Sequence, residues 1–208
     1  MIPSLDPVLS MVVADASEGF IVVGFRLPGT KGIQSKSFHV SEALQAQGFI
    51  SALGKTHDVY VESALQHAAP PPGKRGTAAG ASQFSLVSLD FDCTWGKHAE
   101  TSLPGSPHDL ARVLEAAGAP EPSLVLETGG GLLALWQLEE ALSLPIGDEA
   151  RAARARKASA NFQQRIRRSA KQTYGFKLDG TGDLNRLIRV TGTLNHKYDP
   201  PRPVRILT

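Results

Sequence analysis

Leu89-Asp90-Phe91-Asp92 places two carboxylates two residues apart. On a strand, positions i and i+2 share a face, so Asp90 and Asp92 point one way while Leu89 and Phe91 point the other. Two like charges roughly 5 Å apart repel by about 3 kcal/mol at an effective dielectric near 20. A divalent cation between them removes that cost, and hard oxygen donors suit Mg2+ or Mn2+. A solvated strand end, with Asp92 opening a turn, is the plainer account of the same residues. The pair closes a strongly apolar strand, where a core strand opens into a cleft, and that position favours the metal.

Two further stretches concentrate chemistry. Glu127-Thr128-Gly129-Gly130-Gly131 joins two apolar runs. Glycines permit positive φ and close backbone approach, and the N–H groups of such a turn can cradle phosphate. A glycine-rich hairpin turn is the alternative. Neither G-x-x-x-x-G-K-S/T nor G-x-G-x-x-G occurs, which excludes an ATPase P-loop and argues against a dinucleotide site. Asp179 through Lys197 packs many polar side chains into one segment. Asp179 follows Leu178 as Asp90 follows Leu89. Arg186 and Arg189 lie three apart and share a face in a helical turn. Arginine forks and the Lys197 ammonium can hold a triphosphate. Asp183, capping a short helix and pairing with Arg186, is the plainer role for those two.

The elements that carry these residues can be read from pattern. Gly19 to Leu27 is a predicted strand, paired with Ser35 to Val40 across a Pro-Gly turn. Ser41 caps a helix running to about Leu53. Asp58 to Glu62 is a strand, and Ala68 to Ser82 is a proline-rich loop, long enough to suggest a function. Phe84 to Asp92 is the clearest strand. Ser106 caps a helix that Gly118 ends. Ser123 to Thr128 and Leu132 to Leu138 form a hairpin around the glycine run. Gly147 to Tyr174 is a long helix, with Asp148 and Glu149 at its start and an apolar stripe of Ala150, Ala153, Ala158, Phe162 and Ile166. The end is read as a strand at Phe176 to Asp179, a short turn or helix at Asp183 to Leu187, an extended Ile188 to Val190 and a strand at Val204 to Thr208.

Composition bounds the rest. The chain has 208 residues, which suits one domain or two small lobes sharing a cleft. The single cysteine, Cys93, forms no internal disulfide and points to a reducing compartment. Absence of a long apolar run or a signal-like start leads to an expectation of a cytoplasmic protein without a membrane partner. The net charge of +2 hides an asymmetry. From Arg151 to Lys197, only Asp179 and Asp183 oppose a dense set of cations that includes Arg165 and Arg168. Such a segment attracts polyanions, or it is a solvated helix face. Trp95, His108 and Cys93 are read as structural.

Three segments in order resemble the motifs of the archaeo-eukaryotic primase superfamily, in its plasmid and phage primase–polymerase branch. Leu89-Asp90-Phe91-Asp92 resembles the metal-binding D-x-D. Thr128-Gly129-Gly130-Gly131-Leu132-Leu133-Ala134-Leu135-Trp136 resembles a Ser-Gly-Gly-Gly-x-His-x-Tyr-Trp motif. Asp179 through Lys197 resembles an Asp followed by Arg-x-x-Arg-x-x-Gly-Thr-x-Asn-x-Lys. Asp58-Val59-Tyr60-Val61 and Lys74-Arg75-Gly76 resemble segments upstream of the D-x-D. The resemblance covers roughly Phe20 to Leu207.

The resemblance implies an α+β fold, with an RRM-like catalytic sheet and a smaller α/β module facing each other across a cleft. The whole chain would be one catalytic domain of two lobes, cut from a longer protein. Asp90, Asp92 and Asp179 would hold two divalent ions, Mg2+ or Mn2+. Thr128, Gly129, Gly130 and Gly131 would face an incoming NTP or dNTP, and Arg186, Arg189 and Lys197 would contact its phosphates or order the site. Asn195 would hold the local turn. Lys74, Arg75, Arg165 and Arg168 are the candidates for contact with a DNA template and primer. A helicase domain or partner would fit the family. The implied activity is templated nucleotide transfer onto a 3′-hydroxyl, in replication of a plasmid, phage or mobile element.

The chain departs from the second motif at Leu133, where the family carries a histidine that helps bind nucleotide phosphates. Leucine offers neither a hydrogen bond nor a charge. An engineered change, substitution by another residue such as His98 or His196, and loss of polymerisation are the open accounts. A catalytically disabled nucleic-acid-binding module of replication-initiator type is therefore the alternative function. A metal-dependent nuclease or nucleotidyltransferase of another fold fits the D-x-D alone.

Overall fold

Phe20 to Arg26 is dense in β-branched and aromatic residues, four in succession from Phe20 to Val23, and this run forms β1. The computed structural model describes residues 5–180 and 182–207. Thr181, and the ends of the chain including the last residue of the Val204 to Thr208 strand, lie outside the described residues. Around β1 assemble β2 (Gln34–His39), β3 (Asp58–Glu62), β4 (Ala64–Gln66), β5 (Ala81–Asp92), β6 (Leu124–Glu127), β7 (Gly131–Ser143), β8 (Leu187–Arg189), β9 (Leu194–Asn195), β10 (Arg202–Pro203) and β11 (Arg205–Ile206). Nine of these form one sheet in the order β11-β6-β7-β5-β4-β1-β3-β8, with β2 added against β1; β9 and β10 pair separately.

The sheet forks. β3 and β4 follow one another with Ser63 between them, and both lie against β1. On their other side they take different partners. β4 pairs with the start of β5, whereas β3 pairs with β8. The second half of β5 therefore diverges from β3 and β8 and leaves a cleft. Buried Ser63 sits at the branch point. Its hydroxyl donates to the Leu184 carbonyl at 2.8 Å and accepts the Arg186 N–H at 2.9 Å, so β8 is held to one limb.

Helices cover both faces. On one face α1 (Pro7–Val13) and α2 (Ala43–Leu53) bury Leu9, Val12, Ala46 and Ile50 against Val23, Val61, Leu86, Leu133 and Leu135. On the other, α3 (Pro107–Ala116) and α4 (Glu149–Tyr174) bury Leu110, Val113, Ile166 and Ala170 against Leu89, Phe91, Leu132 and Ala134. Strand alternation thus sends Leu89 and Phe91 under α3 and α4, and turns Asp90 to the opposite face. The hairpin β6–β7 brackets the glycine turn as its pattern predicts, with Asp90 opposite Leu133 and Asp92 opposite Gly131 across β5–β7.

Several expectations change. α1 is an addition to the expected elements; Pro7 at its first position and Asp6, which accepts the Val8 N–H at 2.8 Å, start it. α2 begins at Ala43 after a 3-10 turn capped by His39 rather than by Ser41. The buried stripe of α4 is Ala155, Ser159, Gln163, Ile166 and Ala170, so of the predicted stripe only Ile166 is buried and Phe162 half-buried. Gln163, the larger polar member of that stripe, is tolerated because it is paired, its Nε2 donating to the Ser88 carbonyl at 2.8 Å. Phe176 to Asp179 is not a strand. Phe176 N–H turns back to the Ala170 carbonyl and Lys177 N–H goes to the Ser102 carbonyl, so the backbone is satisfied without a ladder. Of the two forms expected for Asp183 to Leu187, turn or helix, the chain takes the turn, and Leu187 enters β8.

Candidate active site

The cleft of the fork holds a cavity of about 240 Å3 whose polar lining includes Asp90, Asp92, His98, Arg186, Arg189 and Lys197. β5 contributes both aspartates, each a little over one-third exposed. Arg186 arrives from the other limb, and its Nη2 contacts Asp90 Oδ2. This pair spans the cleft. Arg186 therefore pairs with Asp90, not with Asp183. Arg189 comes from the end of β8, not from a shared helical face. It reaches the same cavity because β3 places Tyr60 directly beneath it, 4.8 Å from ring centroid to guanidinium.

Arg189 is held on several sides. Nη1 donates to Asp58 Oδ1 at 3.0 Å and Nη2 to Asn195 Oδ1 at 2.9 Å. Asp58 is 1 % exposed and also accepts from Arg26 at 2.7 Å and from the His196 N–H at 3.0 Å. Burial alone would push its carboxyl up, but Arg26 and Arg189 outweigh burial and hold it below its ordinary value. Asn195 in turn donates to the Thr128 carbonyl at 2.6 Å. A continuous chain of hydrogen bonds thus runs from Arg26 to the glycine turn. Asn195 holds more than its own turn, and Asp58, whose strand segment resembles one upstream of the D-x-D but whose carboxylate the sequence pattern gives no role, buttresses the site through Arg189.

The glycine turn is closed by Thr128, whose N–H and hydroxyl both go to the Gly131 carbonyl at 2.9 and 3.1 Å. Gly129 has φ of 84°, which side-chain-bearing residues avoid. Its carbonyl accepts from Arg202 Nη1 at 2.6 Å. The Gly130 carbonyl accepts from His98 Nε2 at 2.9 Å, and His98 Nδ1 lies 3.3 Å from Asp92 Oδ1. Burial pushes the Asp92 carboxyl up, opposed by His98 and Lys197 and reinforced by Asp90 and Asp179. A cation beside Asp92 is therefore electrostatically favoured.

The remaining predicted residues fall elsewhere. Asp179 is exposed and lines an adjoining groove with Arg167, Arg168 and Lys171, close enough to Asp92 to raise its pKa. Among the described residues, no three of His, Cys, Asp and Glu gather tightly enough to enclose a metal by themselves. Leu133 is 4 % exposed, packs in the core beside Asp90 and forms part of the cavity wall. Arg75 is exposed but already paired, with Nε 3.3 Å from Glu62 Oε1 and Nη2 on the Asn185 carbonyl at 2.9 Å, and Lys74 is exposed. Arg165 and Arg168 are exposed on α4, across the sheet from Asp90. His196 uses its N–H on Asp58. Burial pushes the Cys93 thiol up to about 12, which removes it as a nucleophile.

No protein-family model matches the chain, and no curated protein matches it. Solved structures do match in fold. The AEP domain of the cyanophage S-2L primase–polymerase aligns at a TM-score of 0.59 and 13 % identity, over 96 % of this chain and 85 % of that one. Primase RepB' aligns at 0.53 and 17 % identity, over 97 % of this chain and 55 % of that one. The catalytic domain of primase RepB' in complex with initiator DNA aligns at 0.51 and 20 % identity, over 97 % and 82 %. The chain is thus a distant structural match to the primase–polymerase fold, and it spans 55 % of the longer RepB' structure. No helix among the described residues is long and apolar enough to cross a membrane.

Proposed function

We propose that the chain is the nucleotidyl-transfer core of a primase–polymerase, joining NTP or dNTP to a templated 3′-hydroxyl in replication of a plasmid, phage or mobile element. The observation that carries this reading is the cleft of the fork. It brings Asp90 and Asp92 to Arg186, Arg189 and Lys197, about a hundred residues later in the chain. That set answers one ligand chemistry, a metal-bound polyphosphate.

The donor set fits divalent ions. Asp90 and Asp92 supply hard oxygens, and Mg2+ ordinarily takes one or two carboxylates while substrate phosphates and water complete its shell. Asp90 and Asp92 would hold Mg2+ or Mn2+, with Asp179 joining from the adjoining groove to make a two-ion site. When bound, such ions activate the attacking hydroxyl and neutralise charge at the α-phosphate.

The chain's own residues bind and orient. Arg189, fixed by Asp58 and Asn195, presents its remaining N–H donors to phosphate oxygens. Arg186 exchanges Asp90 for a phosphate when substrate enters. Lys197 adds a point charge at the rim. Thr128 keeps the glycine turn closed, so that backbone, not side chain, faces the triphosphate. Leu133 excludes water beneath Asp90. Exposed Arg165, Arg168 and Lys74 are available to a template–primer backbone, and a helicase domain or partner would supply single strands.

Extension of a labelled primer–template with dNTPs and Mn2+ tests the reading. The expected result is extension by the native chain and its abolition in folded Asp90→Ala. Normal incorporation by Asp90→Ala overturns it. Leu133 in the apolar core favours a second reading, a non-catalytic DNA-binding module. That reading expects salt-dependent DNA binding that survives chelation, and no incorporation with any metal.

A further inference from the structure

The loop after β5 returns His98 into the cleft, where its ring is clamped from both sides. A carbonyl oxygen can only accept, so the 2.9 Å contact to Gly130 assigns the proton of the neutral ring to Nε2. Nδ1 then turns its lone pair toward Asp92 Oδ1, 3.3 Å away. Two acceptors at that separation need a cation between them, either a proton or a metal ion.

We propose that His98 Nδ1 is a ligand of the divalent ion at Asp92. The inference rests on the metal-dependent reading above and names a donor that the carboxylate motifs do not contain. Cis ligands about 2.1 Å from an octahedral ion lie about 3 Å apart, so the imidazole and carboxylate already stand at nearly the spacing of a shared ion. Metal-binding histidines almost always donate their second ring N–H to a carbonyl or carboxylate, which fixes tautomer and orientation. Gly130 does this for His98.

The seat for the ring is built. A Cβ at Gly96 would stand 2.1 Å from His98 Nε2 and 2.3 Å from the Gly130 carbonyl oxygen, so only glycine at position 96 leaves room. The neighbouring Lys97 N–H donates to the Tyr198 hydroxyl at 3.1 Å, and that hydroxyl packs on Gly130, where a Cβ would come within 1.9 Å. Loop, glycine turn and imidazole are therefore locked together, and His98 is 15 % exposed. A nitrogen donor shifts the preference of an otherwise all-oxygen site toward Mn2+ or Co2+ and away from Mg2+.

The test uses Mn2+ alone, without nucleotide or DNA. Free Mn2+ is counted by electron paramagnetic resonance for the native chain, His98→Ala, Gly96→Ala and Asp90→Ala, each checked for folding by circular dichroism. A second readout follows the 15N resonances of the imidazoles during titration with Zn2+. The expected result is Mn2+ binding weakened about tenfold or more in His98→Ala and Gly96→Ala, a smaller change for Mg2+, and a shift of His98 Nδ1 while Nε2 keeps its proton. Equal Mn2+ affinity in the native chain and His98→Ala overturns the proposal and leaves the carboxylate reading standing. Weakened binding without a Nδ1 shift reduces His98 to a positioning residue and also overturns it. Absence of Mn2+ binding by the native chain removes both the proposal and the metal-dependent reading.

Discussion

Asp58 and Arg189 meet at 3.0 Å at the base of the cleft, the carboxylate buried and the guanidinium 13 % exposed. The aspartate lies on β3 and the arginine on β8, so the pair also staples one limb of the fork. Asp58→Asn leaves Arg189 and Arg26 without their shared anion. The expected cost is about 2–4 kcal/mol of stability, read by denaturant titration. In primer extension KM for dNTP rises about tenfold while kcat changes less, as expected when one charge-assisted contact to the phosphates is misdirected.

Arg186 and a metal ion compete for Asp90. Arg186→Ala releases the carboxylate, and Mn2+ affinity is expected to rise about two- to fivefold, the worth of one half-exposed ion pair. Primer extension is expected to fall about tenfold, because the same guanidinium is lost from the phosphates. Opposite signs in the two assays separate this role from a merely structural one. A parallel loss in both would contradict it.

Leu133 tests whether a histidine at the motif position is needed. Its side chain packs among Leu86, Leu126 and Leu135, so Leu133→His buries a polar ring there and is expected to cost about 2 kcal/mol. With His98 already in the cleft, the native chain is expected to extend a primer, and Leu133→His to improve extension less than about threefold. Extension by Leu133→His alone would mark the native chain as a disabled polymerase.

Glu62 makes stability depend on pH. It is wholly buried, with Oε1 accepting from Arg75 at 3.3 Å and from the Gly76 N–H at 3.1 Å. Burial pushes its carboxyl above the ordinary 4.5, and Arg75 only partly offsets this. In that window the folded chain retains a proton that the unfolded chain has released. The Glu62 contribution is therefore present below pH 4.5 and lost as pH rises through the higher folded value. Glu62→Gln keeps an acceptor for Gly76 and removes the loss. Its melting temperature is expected to match the native chain near about pH 4 and to exceed it at neutral pH. A variant less stable than the native chain at neutral pH would show that the Arg75 pair outweighs burial.

The sequence by itself determined the longer strands, β1, β2, β3, β5, β6 and β7, and the chemistry each could carry, while the short β4, β9 and β10 carry no local pattern of their own. Strict alternation around Asp90 and Asp92 set their shared face, the three glycines after Thr128 set the hairpin turn, and Asp148 set the start of α4, because these are local matters of pleat, φ and capping. Where the chain left regular structure the reading weakened. Phe176 to Asp179 has strand-like composition, yet its N–H groups are satisfied by Ala170 and Ser102, partners that local pattern does not reveal. Only the tertiary structure decided the site. The fork at Ser63 turns a continuous sheet into a cleft, brings Arg186 onto Asp90 from 96 residues away, commits Arg75 to Glu62, and carries His98 to Asp92 beside a leucine at the motif position. Those pairings depend on which strand β3 and β4 each accept as a neighbour. That choice is settled by long-range burial and backbone hydrogen bonding, which no single segment encodes.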